Sequence, residues 1–469
     1  MQVSICIKYQ VSSIKYQTLL IWAVLSFIPT FFYFYVGEEA VFTLNSLEMW
    51  QHQEFKNVVM YGSKSVSGRP PLFSWVMIPV ALLLGWENVL VAARIVTVMA
   101  TIGTSFTVAW LAMQLWRDKF ICWIAAVLYL ATVDVMLYVG WLSYADTLYT
   151  MFIVLSIALT WVACLKNNRK MLVAAFFAAF AAFLTKAFTV YLFLGVSILV
   201  LSSDAYYRRF LLSPRALLTY IVGLLLPLLW LKFGTTDLSQ GSRMSHDILN
   251  KLAAPEIGAY LLRLVSHPAE AFARLFPASF FVAYFLLRQR VVVFRDAAVR
   301  TSLMIALLNY LPYLVMPEGG IRYVIPVYSF VVLAAAYLVA QNSSPFKIKN
   351  WLISMLLIGT ILKVLAFPYY QKVWRGENYN LMASEILVRY GQHPLYVVDT
   401  SSVGLSVAAS INSMRVGQQA ITLPPSNFEE GIVIANTPND LQGTLLTELR
   451  VSGKDVVYLI CRGVACGVK

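Results

Sequence analysis

Long apolar runs separated by short connectors fill the chain from Thr18 to about residue 367. The first, Thr18–Val36, holds about 19 residues of almost wholly apolar character, enough to cross a bilayer as a helix. Further runs cover 71–86, 89–116, 119–140, 144–165, 171–185, 187–203, 216–233, 271–287, 301–316, 322–340 and 350–367. In hydrocarbon every backbone polar group needs an internal partner, so these runs predict helices. The pattern changes at about residue 371. Short β-rich runs at 394–400, 431–437 and 455–463 alternate with predicted helices near 403–413 and 438–450. The expected fold is therefore an all-α polytopic membrane protein with a small C-terminal α/β domain. The division is 1–370 for the membrane domain, with outer loops 37–88 and 234–270, and 371–469 for the tail.

Composition agrees with that reading. The chain has 469 residues, 59% of them hydrophobic and 13% charged, with a mean hydropathy of +0.71. A soluble domain has no use for so much apolar surface. The formal net charge is +13, and its placement sets the topology. Basic residues cluster at Arg117 and Lys119, at Lys166, Arg169 and Lys170, and at Arg208, Arg209 and Arg215. Two more clusters are Arg288, Arg290, Arg295 and Arg300, then Lys347 and Lys349. All should face the cytoplasm. They do so together only if run 71–86, about 16 residues long and opening on Pro70 and Pro71, fails to cross. That leaves eleven spanning helices, an N-terminus held inside by Lys8 and Lys15 as an uncleaved signal anchor, and a tail on the outer face. Cys6, Cys122 and Cys164 lie at or near apolar runs and read as inert. Cys461 and Cys466 could pair in an oxidising compartment or stand as two thiols, and both readings stay open.

The same count gathers the remaining polar residues on the outer side. Glu38 and Glu39 follow the first apolar run, either as a solvated helix end or as part of a site. Arg69 precedes two prolines that fix an extended backbone, as a headgroup anchor or a phosphate clamp. Asp146 opens an apolar helix, as an N-cap or a second active-site acid. Lys186 lies between two runs, as an interfacial turn residue or an anion contact. Arg322 and Tyr323 open a further helix, and a cation at a helix N-terminus opposes the macrodipole unless an anion is bound there. Carboxylates and cations on one membrane face suit group transfer from a lipid-linked phosphate. A carboxylate would deprotonate the acceptor hydroxyl.

These residues also fall in a known order. "EEAVF", "LEMW", "RPPLFSW", "AAR", a later Asp, "TKA" and "IRYVIP" together resemble the bacterial GT-C glycosyltransferases, in particular the aminoarabinose-transferase and protein O-mannosyltransferase-like group. The resemblance runs from about residue 18 to 340. In the Asp-Glu, Tyr, Glu-Met, Lys-Pro-Pro-Leu and Trp pattern of that group, the matching positions are Glu38, Glu39, Phe42, Glu48, Met49, Arg69, Pro70, Pro71, Leu72 and Trp75. Its Thr-Lys-Gly motif falls on Thr185, Lys186 and Ala187, and its Arg-Tyr-x-x-Pro motif on Arg322, Tyr323 and Pro326. The resemblance implies a GT-C-like membrane domain and a polyprenyl-phosphate sugar donor. It also implies inverting transfer to a lipid, glycan or protein acceptor at the periplasmic face of the bacterial inner membrane. Glu38 would be the base, with Glu39 and Asp146 beside it. Arg69, Lys186, Arg322 and Tyr323 would meet the donor phosphate.

Three departures stand out. Glu38 replaces Asp, Arg69 replaces Lys, and Gly68 stands where the aminoarabinose transferases carry a metal-associated Glu. His246 and His267 are the remaining candidate ligands, and isolated loop histidines seldom make a metal site. No cofactor is implied, while a divalent metal stays open, and nothing points to nucleic acid. The competing reading is a transporter or flippase for a lipid-linked substrate, which should carry midplane charges and paired broken helices. A catalytically dead scaffold or lipid-binding protein is a third.

Overall fold

The computed structural model describes residues 17–63, 70–234, 257–288, 294–316, 320–438, 443–451 and 455–467. Helix occupies every apolar run read from the sequence. The membrane part comprises α1 (Gln17–Phe32), α2 (Glu39–Gln51), α3 (Leu72–Leu84), α4 (Val89–Trp116), α5 (Lys119–Leu130) and α6 (Ala145–Lys166). It continues with α7 (Arg169–Thr185), α8 (Thr189–Leu201), α9 (Ala205–Leu211), α10 (Pro214–Leu229), α11 (Ile257–Arg274) and α12 (Ala278–Arg288). Helices α13 (Ala297–Val315), α14 (Ile325–Asn342) and α15 (Pro345–Ile361) complete it. By length and apolarity, six described helices are able to cross a membrane, and four shorter apolar helices accompany them.

Local chemistry explains where the helices begin. Asp118 accepts the Phe120 amide at 2.8 Å, Asn168 that of Lys170 at 3.0 Å and Asp296 that of Val299 at 2.9 Å. Asp204 caps α9 through the Tyr206 amide at 2.8 Å. Each cap satisfies an orphan donor of a first helical turn, and each stands in one of the basic connectors. Between α6 and α7, Asn167 takes the left-handed conformation at φ 49° that lets the two helices fold back in a hairpin.

Two runs differ from the expectation. Run 271–287 is not one straight helix: residues Tyr260–Arg274 and Ala278–Arg288 meet at 108°. Pro277, without an amide hydrogen, stands at the break. Run 119–140 ends its α-helix at Leu130 and closes with a π-turn over Val135–Val139. Helix α3 has 13 residues, about 20 Å of rise, which is short of the ~30 Å hydrocarbon thickness.

The tail carries α16 (Tyr379–Tyr390), α17 (Ser402–Met414) and strands β1 (Leu395–Val397), β2 (Gly431–Ala435), β3 (Thr444–Arg450) and β4 (Val456–Arg462). The sheet order is β1-β2-β4-β3, with β1 parallel to β2 and the other pairs antiparallel. The helix expected near 438–450 is instead β3. Its Thr444 and Thr447 favour extended backbone, and pairing with β4 outweighs the helix preference of Leu, Glu and Arg. Cys461 and Cys466 are joined as a disulfide.

Helix α2 joins the two parts. Phe42, Leu47 and Met49 pack into the core of the membrane helices. Ala40, Val41 and Leu44 pack into the core of the tail with Ile386, Ile411, Ile434 and Leu459. The helix is buried on all sides from Glu39 to Met49, which is the setting in which two carboxylates must find internal partners. Glu48 finds two backbone amides, Tyr61 at 2.7 Å and Gly62 at 2.8 Å. The turn it holds is tied onward to the tail. The Tyr61 carbonyl accepts the Leu423 amide at 3.0 Å, and the Tyr61 hydroxyl donates to the Asp399 carbonyl at 3.2 Å.

Burial lifts the Glu48 carboxyl from its ordinary 4.5 to about 7, against the pull of the two amides. A raised folded-state value means that the fold is favoured by the bound proton. That stabilisation is complete below the unfolded value and fades as pH rises through about 7. Glu48→Gln should therefore flatten the difference in thermal stability between pH 5 and pH 8. An unchanged difference in the variant would remove Glu48 as its source.

Candidate active site

The end of the helical part that meets the tail is built around one cation. Arg94, on α4, is fully buried and uses all five of its N–H donors. Its Nε donates to Glu39 Oε1 at 3.0 Å and its Nη2 to Glu39 Oε2 at 2.6 Å. The other bonds reach the carbonyls of Thr30 (2.7 Å), Tyr33 (2.8 Å) and Phe34 (2.8 Å), where the first apolar helix unwinds. The guanidinium also lies 5.3 Å from the Trp141 ring. Glu39 is saturated in turn, accepting the Ser143 amide (2.8 Å), the Ser143 hydroxyl (3.1 Å) and the Val36 amide (2.8 Å). A carboxylate with five donors on it has no lone pair left for a substrate proton. The adjacent acids of "GEEA" thus part company: Glu39 is wholly buried, while the Glu38 side chain is about half exposed.

Glu38 stands at the N-terminal edge of α2, with its Oε2 3.9 Å from Arg322 Nη1. Both side chains are close to half exposed, and a pair at that separation in solvent holds weakly. Arg322 lies in the short 3-10 turn Ile321–Val324 that leads into α14. Its guanidinium is 5.5 Å from the Tyr323 ring centroid, and Lys186 Nζ is 4.3 Å from the same ring. Lys186 closes α7 and forms an ion pair with Asp146, in the first turn of α6. Asp146 is thus not an N-cap; Tyr144 holds that position, without a side-chain cap bond. Tyr313 stacks near Tyr323 at 6.4 Å and Phe193 near Tyr313 at 5.6 Å, giving the cluster an aromatic wall.

Four elements distant in sequence therefore bring Glu38, Asp146, Lys186, Arg322 and Tyr323 together. Two cations, Arg322 and Lys186, meet at the Tyr323 ring, and each has a carboxylate beside it, Glu38 for the first and Asp146 for the second. Such an array can hold an anion between Arg322 and Lys186 while presenting the Glu38 carboxylate beside it. Arg69, Gly68 and His246 lie outside the described residues. His267 stands elsewhere, on α11, with Nδ1 2.7 Å from the Tyr310 hydroxyl. Among the described residues no group of three or more His, Cys, Asp or Glu is placed to hold a metal ion.

Charge-cluster reasoning passed over Arg94, Ser143 and Tyr144. Arg94 did leave a signal: it is a lone cation well inside an apolar helix and belongs to no basic connector, where a charge needs a partner. A second such station joins Asp134 to Arg274 at 3.0 Å and to the Tyr328 hydroxyl at 3.0 Å, tying the bend between α11 and α12 to α14.

No protein-family model matches the chain, and no curated protein matches its sequence. Solved structures do match its fold. The crystal structure of ArnT from Cupriavidus metallidurans bound to undecaprenyl phosphate is 12% identical with a TM-score of 0.68, over 97% of this chain and 98% of that one. Its apo form is 13% identical with a TM-score of 0.63, over 95% and 97%. The archaeal oligosaccharyltransferase AglB from Archaeoglobus fulgidus, in complex with an inhibitory peptide and a dolichol-phosphate, is 10% identical with a TM-score of 0.50, over 90% and 69%. All are GT-C glycosyltransferases, and at these identities the likeness establishes that this chain has the GT-C fold.

The Arg94–Glu39 pair makes a sharp prediction. Removing one partner leaves an uncompensated buried charge, at a cost of about 3–5 kcal/mol. Glu39→Gln and Arg94→Gln should each lower the midpoint of thermal unfolding in detergent, and the double variant should lose less than the sum of the two. Strict additivity would mean that the two side chains do not act as a pair.

Proposed function

We propose that this chain, built on the GT-C fold, transfers a sugar from a polyprenyl-phosphate carrier to a hydroxyl of a lipid, glycan or protein acceptor. The observation that carries the reading is the meeting of Glu38 with Arg322, Lys186 and Tyr323. It occurs on a fold that aligns over 97% of its length with a transferase holding undecaprenyl phosphate. Glu38 is the base: it takes the proton of the acceptor hydroxyl as that oxygen bonds to the anomeric carbon. The bond from that carbon to the phosphate oxygen breaks, and polyprenyl phosphate leaves with the electron pair. Attack from the side opposite the leaving group inverts the anomeric centre. Arg322 and Lys186 take up the charge growing on the leaving phosphate, and Arg69 joins them on the strength of its sequence position. Asp146 orients Lys186. Glu39 does no proton transfer and serves as a positioning residue through Arg94 and Ser143.

The topology proposed with it has eleven spanning helices, with α3 lying at the membrane surface. The active site and the tail, residues 371–469, face the periplasm of a bacterial inner membrane, and the N-terminus faces the cytoplasm. Two features support that orientation. The Cys461–Cys466 disulfide suits an oxidising compartment. Tyr369, Tyr370 and Trp374, exposed where the last apolar helix meets the tail, suit a membrane–water interface.

Glu38→Gln should reduce transfer by about a hundredfold or more, as expected for loss of a general base, with normal insertion and abundance. Mass spectrometry of envelope glycans and glycolipids, comparing cells that carry the wild type, the variant or neither, reads both the activity and the sugar. Wild-type products from Glu38→Gln would place the base elsewhere. In a separate test, cysteines introduced at Ser67 and Arg117 should react with an impermeant reagent from opposite sides of the membrane. Reaction of both from one side would break the topology.

A further inference from the structure

The segment that delivers Glu38 has an unusual constraint. Gly37 adopts a left-handed φ of 57°, and a Cβ added there would lie 2.5 Å from the Tyr144 hydroxyl. The chain therefore turns at Gly37 directly against that oxygen. The hydroxyl bridges the turn. It accepts the Glu38 backbone amide at 3.0 Å and donates to the Val36 carbonyl at 3.2 Å. One oxygen thus satisfies a donor and an acceptor on either side of the glycine. Val36 is held at its other end as well, since its amide donates to Glu39 Oε2. Tyr144 itself is buried, with its ring 6.3 Å from that of Phe42 on α2. It immediately precedes α6, whose first turn carries Asp146.

We infer that Tyr144 is the positioning residue for the base: its hydroxyl fixes the Val36–Gly37–Glu38 turn and so sets where the Glu38 carboxylate stands relative to the Lys186–Asp146 pair. The inference rests on the glycosyl-transfer reading above. The backbone that carries Glu38 is braced by Tyr144 on one side and by the Arg94–Glu39–Ser143 network on the other. Because Ser143, Tyr144 and Asp146 belong to one short stretch, the base and the phosphate-facing lysine share a single frame. The glycine is then required twice over, for its φ and for its lack of a side chain against the hydroxyl.

Tyr144→Phe removes the hydroxyl and keeps the ring. With purified enzyme in lipid and a polyprenyl-phosphate sugar donor identified from the envelope analysis, kcat should fall about tenfold to a hundredfold, the usual cost of misplacing a catalytic group. KM for the donor should stay within about twofold, because Lys186 and Arg322 are untouched. Tyr144→Trp, which cannot bridge the turn, should not restore kcat. Gly37→Ala should be as harmful or worse in the wild type. In the Tyr144→Phe background the hydroxyl that opposes the new Cβ is gone, so the combined loss should be smaller than the product of the two single losses. Wild-type kcat in Tyr144→Phe, or a parallel loss in kcat and donor binding with multiplicative behaviour in the double variant, overturns the inference. Glu38→Gln measured alongside separates the two claims. If it is inactive while Tyr144→Phe is not, the positioning role alone falls. If Glu38→Gln is fully active, the base assignment falls and takes the positioning role with it.

Discussion

A single arginine organises the end of the helical part that meets the tail. Arg94 enters from an apolar helix with five N–H donors and is fully buried. Its surroundings are arranged to supply five acceptors: three carbonyls where the first helix unwinds and both oxygens of Glu39. A buried charge left short of partners costs several kcal/mol, so the geometry of the segment from Thr30 to Glu39 follows from the need to serve it. Glu38 is hung on that segment. Glu38 emerges where the ladder of bonds ends, and its neighbour Glu39 is consumed by it.

The second constraint is the burial of α2 between two cores. A helix packed on one side against the membrane helices and on the other against the tail sheet cannot rotate or slide. Its carboxylates must be held by bonds rather than by solvent, and Glu39 and Glu48 anchor its two ends. The tail therefore reaches the Glu38 cluster indirectly. It contacts the turn at Tyr61 and the face of α2 that carries Ala40, Val41 and Leu44, without itself bringing a charged side chain of the cluster. Loosening the tail would be felt at Glu38 through this helix.

The charge arrangement depends on which elements carry each group. Lys186 is paired with Asp146, Tyr323 lies beside both cations, and Arg322 faces Glu38 at 3.9 Å. The cluster is thus assembled from the edges of α2, α6, α7 and the turn before α14.

Much of this was legible in the chain of letters. Apolar length found the long helices of the membrane part, because hydrocarbon imposes the same requirement on every residue of a crossing segment, whereas α2 and most of α11 fall in stretches read as loops. The basic connectors predict one sidedness that groups Glu38, Asp146, Lys186 and Arg322, and the structure brings these four residues together. Other features were beyond it. Residues 438–450 read as a helix because the preference of Leu, Glu and Arg is local, whereas β3 is decided by the partner strand β4. The two glutamates of "GEEA" are chemically the same in sequence, and only the approach of Arg94, 55 residues away in the chain, assigns one to the frame and leaves the other to the opening. Tyr144 carried no sequence signal at all, since a hydroxyl that bridges a glycine turn about a hundred residues earlier is visible only once the two segments are laid side by side. Composition and pattern determine what each segment needs, and the tertiary structure decides which partner meets that need.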